Sequence, residues 1–122
     1  MSFQTKKDVS IEDLKGMHPF ILLIFAEFYL YCYENKIPCV LTSLMENAPG
    51  RISETHSDGR AFDASVRGWS DFHIHRIVYH FNEKFKDIAA ISASDNKPRA
   101  VVYHKVEGGA HHLHFQCRKD KE

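Results

Sequence analysis

The stretch SETHSDGRAFDASV, residues 53–66, decides how this chain reads. Its second half, AFDASV, alternates apolar and polar residues, which is the period of a strand with one buried face. Asp63 stands inside that strand, between Phe62 and Ala64. A carboxylate buried without a partner costs several kcal/mol, so Asp63 calls for a cation, a hydrogen-bond network or a metal. His56 lies seven positions upstream, on the far side of Gly59. The residues before it, from Glu46 to Asp58, are polar and carry Pro49 and Gly50, and they read as a long loop of the functional kind.

Working outward, Ser10 and Asp13 resemble a capping box, and a short helix is expected from Ile11 to Met17. Pro19 suits the first turn of a second helix, His18 to Asn35, whose apolar residues run nearly all round and predict the central helix of the core. CVLTSL, residues 39–44, reads as a strand. Ser70 and Asp71 open a helix to Phe85 with an apolar stripe of Phe72, Ile77, Phe81 and Phe85. DIAAIS, residues 87–92, reads as a strand and DNKP, 95–98, as a turn. RAVVYHKV, 99–106, and HLHFQCR, 112–118, flank EGGA and form a hairpin. The sum is one α+β domain over residues 1–122, with two or three helices packed on a mostly antiparallel sheet.

Composition narrows the function. Sixteen basic residues balance sixteen acidic ones, so nothing points to nucleic acid. Cys32, Cys39 and Cys117 are odd in number and form no C-x-x-C pair, against both a disulfide framework and a zinc finger; reduced thiols and a monomer are expected. The N-terminal segment lacks the apolar core of a signal peptide, which implies a cytoplasmic place of synthesis. FILLIFAEFYLYCY falls short of the roughly 20 residues of a transmembrane helix and is interrupted by Glu27.

Nine histidines stand out, where average usage would give about three. On a strand, His112 and His114 share a face and Leu113 takes the other. If this strand neighbours AFDASV, His56, Asp63 and His114 can meet. Two imidazoles and a carboxylate are a sensible ligand set for catalytic zinc, since they leave a fourth position for water. His73, His75, His80 and His104 read as structural, His18 as a helix cap, and Trp69 and Tyr103 as core or rim. An iron oxygenase triad is disfavoured, because its first two ligands are usually separated by one residue rather than six.

The segment H-S-D-G-R-A-F-D, residues 56–63, resembles the H-x-x-G-x-A-x-D motif of a group of zinc peptidases. That group contains D-alanyl-D-alanine peptidases and phage L-alanyl-D-glutamate endolysins and shares its fold with the hedgehog signalling domain. The H-x-H at His112 and His114, and the upstream NAPGR at 47–51, extend the resemblance over roughly residues 40–118. It implies a hedgehog/DD-peptidase-like fold, Zn2+ held by His56, Asp63 and His114, and hydrolysis of a peptide bond in bacterial peptidoglycan by a phage-type lysis enzyme. The resemblance further implies Glu107 as the upstream acid and general base with His112 stabilising the oxyanion, or His112 as the base instead. It implies Arg51 as the partner of a substrate carboxylate or an oxyanion, against a plain solvated loop residue. Two positions differ from the family pattern: Glu54 stands where Ser is common, and His111 where the acid usually sits. The alternative is a zinc-stabilised, hedgehog-like binding module without catalysis.

Overall fold

Local chemistry sets the two α-helices among the described residues. The first, α1, spans Pro19–Asn35. The His18 side chain caps its start by accepting a 3.0 Å hydrogen bond at Nδ1 from the Phe20 N–H, and Pro19 occupies the first turn. It ends at Lys36 in the left-handed conformation, whose N–H reaches the carbonyls of Cys32 and Tyr33. The second, α2, spans Asp71–Lys84 and is capped by Ser70, whose hydroxyl accepts from the His73 N–H. The structure, a computed structural model, describes residues 4–5, 11–44, 59–105, 107–108 and 111–119.

Seven strands are present among these residues: β1 Gln4–Thr5, β2 Val40–Ser43, β3 Ala61–Ser65, β4 Ala90–Ile91, β5 Pro98–Arg99, β6 Val101–His104 and β7 His112–Gln116. Five form one sheet in the order β1-β2-β3-β7-β6, and β4 and β5 form a separate ribbon. All pairings are antiparallel except β1 with β2. This is the expected α+β class. No helix among the described residues is long and apolar enough to cross a membrane.

The period of two divides β3 and β7 between two faces. Phe62 and Phe115 are direct cross-strand partners, with rings stacked 4.6 Å apart. The helices cover this face: Phe28 of α1 contacts Phe62 and Phe115, and Phe81 of α2 contacts Phe115. Trp69 stacks on Phe28 and donates its indole N–H to the Pro38 carbonyl, a core role as expected.

Several expectations are corrected. α1 is not buried all round: Ile21, Ile24, Phe25, Phe28 and Cys32 face the sheet, while Leu23 (52%) and Tyr33 (52%) remain exposed. A helix laid on one side of a single sheet has only one face to bury. In α2, Ile74 joins Ile77 and Phe81 inside, and Phe72 is 64% exposed. Two residues before Ile74, Phe72 is turned about 200° around the helix from it. The first helical segment is a 3-10 helix, Ile11–Gly16, and another 3-10 turn, Lys86–Ile88, takes the first two residues of DIAAIS. RAVVYHKV is broken at Ala100, where the chain passes from ribbon to sheet. There the Asn82 Oδ1 of α2 accepts from the N–H groups of Ala100 (2.7 Å) and Val101 (3.0 Å). One side chain thus satisfies the backbone at the break.

Candidate functional site

The face of β3 and β7 away from the helices carries Asp63, Ser65, His112, His114 and Gln116. It arises from the same alternation that sends Phe62, Ala64, Leu113 and Phe115 to the core. Asp63 lies directly opposite His114 on β7 and opposite Ser43 on β2. Its Oδ1 is 2.8 Å from His114 Nδ1. His114 is only 9% exposed, which makes the contact a buried one. Gly59 enters β3 with φ +70°, a left-handed turn that glycine takes without a Cβ penalty, and its carbonyl accepts from the His18 N–H.

The surroundings of the pair are imidazole and amide. His112 Nε2 stands 4.0 Å from Asp63 Oδ2. His104 on β6 pairs in register with His112, their rings 5.1 Å apart, and its ring lies 5.7 Å from that of His114. Desolvation holds the His104 imidazole below its ordinary range; repulsion from His114 and His112 adds to this and Asp63 opposes it. On the other side, His114 Nε2 is 3.0 Å from Gln116 Oε1. The Gln116 amide nitrogen donates to the carbonyls of Arg99 (3.0 Å) and Ala90 (3.4 Å).

Of the residues singled out in the sequence, Asp63 and His114 are brought together and His112 stands beside them. Glu107 lies in the exposed β6–β7 turn next to Gly108, with no hydrogen bond to Asp63 or His114 among the described residues. His111, which stands where the resembled motif has its acid, is exposed, with Nδ1 3.3 Å from the Tyr103 hydroxyl. His56 and Arg51 lie outside the described residues. His73 has a structural partner, the Tyr31 hydroxyl at 2.6 Å.

His104, expected to be structural, has its ring beside those of His112 and His114. The signal was available, because His104 and His112 stand symmetrically about the Gly108 turn and a hairpin makes them cross-strand neighbours. Gln116 continues the H-x-H face by two residues, a position that the alternation along β7 already implies. Ser43 carried no signal, since its place opposite Asp63 depends on pairing between strands distant in sequence.

A carboxylate and an imidazole held side by side are donor types that suit a borderline divalent ion such as zinc. Both come from the middle of a hydrogen-bonded ladder, which fixes their separation. No group of three His, Cys, Asp or Glu able to hold a metal forms among the described residues, which contain two of the three implied ligands. Comparison with protein-family models, with curated proteins and with solved structures finds no match to this chain.

Proposed function

We propose that this chain is a zinc-dependent peptidase of bacterial peptidoglycan, with a hedgehog/DD-peptidase-like fold. The observation that carries the reading is the Asp63–His114 pair, in direct register on adjacent strands and 2.8 Å apart. The H-x-x-G-x-A-x-D spacing adds His56 as the third ligand. When bound, zinc supplies Lewis acidity toward the scissile carbonyl and toward water.

The chain's own residues supply the rest. Asp63 and His114 hold their positions through the β3–β7 ladder. His112 Nε2, 4.0 Å from Asp63 Oδ2, is placed to take a proton from the attacking water and return it to the leaving amine. This moves the base from Glu107 to His112, because Glu107 sits on an exposed turn while His112 stands beside Asp63 and His114. His104, beside the His112 ring, limits the directions in which that ring can swing. Arg51 is kept as the partner of a stem-peptide carboxylate.

The test is digestion of purified peptidoglycan by zinc-loaded protein, with the released peptides identified by mass spectrometry. The expected result is cleavage at one type of stem-peptide bond. Cleavage should stop with chelator or with Asp63→Asn, and fall by ~10²–10⁴ with His112→Ala, the usual worth of general-base catalysis. Cleavage by Asp63→Asn at the wild-type rate would refute the reading. The position of Glu107 favours one alternative, a zinc-stabilised binding module. Zinc retention with no cleavage would select it.

A further inference from the structure

The end of α1 turns the chain back on itself and brings two thiols together. Cys32 lies in the last turn of α1, and Cys39 immediately precedes β2. Lys36 takes the left-handed conformation, and the Ile37 N–H reaches back to the Cys32 carbonyl at 3.0 Å. This is the Schellman closure, which reverses the chain at a helix end. Two residues further on, the Cys39 side chain meets that of Cys32. The Cys32 S–H donates to the Cys39 sulfur, which pushes the Cys32 thiol up and the Cys39 thiol down; burial adds to the first and opposes the second.

The backbone on either side of Cys39 is held in place. The Pro38 carbonyl accepts from the Trp69 indole N–H at 3.0 Å, and the Cys39 carbonyl accepts from the Gln4 N–H at 2.8 Å. Both cysteines are buried, at 0% and 4% exposure. A disulfide forms readily where two sulfurs can meet without movement of the backbone. We propose that Cys32 and Cys39 form an oxidation site, a dithiol that a small hydroperoxide converts to a disulfide stapling the end of α1 to the start of β2. The Cys39 thiolate attacks the peroxide. An S–O bond forms, the O–O bond breaks, and the departing oxygen takes up the proton that the thiol released. The Cys32 sulfur then attacks the sulfenic sulfur of Cys39. The S–S bond forms, the S–O bond breaks, and hydroxide leaves as water with the Cys32 proton. The two thiols give up two electrons, and the peroxide accepts both. Burial selects the oxidant, because hydrogen peroxide is close to water in size and a bulky reagent cannot reach sulfurs this enclosed. Both sulfurs lie in the core cluster under the helices, so the site stands apart from the zinc reading.

The experiment treats the folded full chain with hydrogen peroxide, blocks the remaining thiols in denaturant and digests with trypsin. Trypsin cuts after Lys36, so the two cysteines part unless they are linked. The expected result is loss of two of the three thiols and recovery of a Cys32–Cys39 cross-linked peptide, lighter by two hydrogens than its separate halves. The staple should raise Tm by roughly 10 °C, and dithiothreitol should reverse every change. Cys32→Ser removes the resolving thiol and should leave Cys39 as a sulfenic acid that dimedone labels. Three thiols surviving peroxide in the folded protein overturn the proposal. A link through Cys117, or a Cys32–Cys39 link that lowers Tm, also overturns it. If Cys32→Ser does not fold, the wild-type digest still decides.

Discussion

Asp63→Asn keeps the shape of the side chain and removes its charge, which makes it the sharpest perturbation of the β3–β7 pair. A ligand that binds only the folded state at 100 times its Kd stabilises that state by about 2.7 kcal/mol. For 122 residues, the unfolding entropy is about 0.26 kcal/mol/K. Zinc at that excess should therefore raise the wild-type Tm by about 10 °C. In Asp63→Asn the rise should vanish, because one of two described donors has lost its charge. With chelator present, the variant exchanges a charge-assisted hydrogen bond of 2.8 Å for a neutral one. That costs about 1–2 kcal/mol, or about 4–8 °C. Scanning calorimetry of both proteins, each with chelator and with zinc, at one protein concentration, separates the two effects. An equal zinc-induced shift in both proteins would refute the argument, as would a wild-type Tm indifferent to zinc.

Three further outcomes follow from the fold. Phe115→Ala empties the space between Phe28, Phe62 and Phe81 and should cost about 3–5 kcal/mol by urea titration, whereas Phe72→Ala on the exposed flank of α2 should stay within about 0.5 kcal/mol. Lys36, at φ +56°, holds a conformation that favours glycine, so Lys36→Gly should raise stability by about 0.5–1 kcal/mol, and a loss of stability would contradict the cap assignment. Cys32, Cys39 and Cys117 are buried thiols, and a hydrogen bond with Cys39, then burial, push the Cys32 thiol well up; a thiol reagent should therefore find three groups after denaturation and react slowly with the native protein, and rapid native labelling would be the contrary result.

What could be read ahead of the structure was what periodicity encodes. The two helices, the strand around Asp63 and the hairpin about EGGA follow from local alternation and from capping residues such as Ser70 and Pro19. The pairing of Asp63 with His114 was a conditional, resting on whether β3 and β7 were neighbours, and the register makes them so. The errors share a cause. Which flank of α1 meets the sheet, why Phe72 points outward, and why Ala100 breaks a long apolar run all depend on contacts between distant elements. The Asn82 side chain, which satisfies the Ala100 and Val101 amides, gives no hint of that role in its own segment. His104 is the opposite case, since the hairpin turn by itself implies its pairing with His112.

The two-faced construction of β7 bears on how this protein can change over generations. Leu113 and Phe115 belong to the core, while His112, His114 and Gln116 belong to the open face. Substitutions along the strand should fall into two interleaved tracks, one read out as lost folding and the other as altered chemistry. An inserted or deleted residue respects neither track. It would carry the imidazoles in among the phenylalanines and the phenylalanines out to water in one step. This segment can drift in its letters, one track at a time, but its length is frozen.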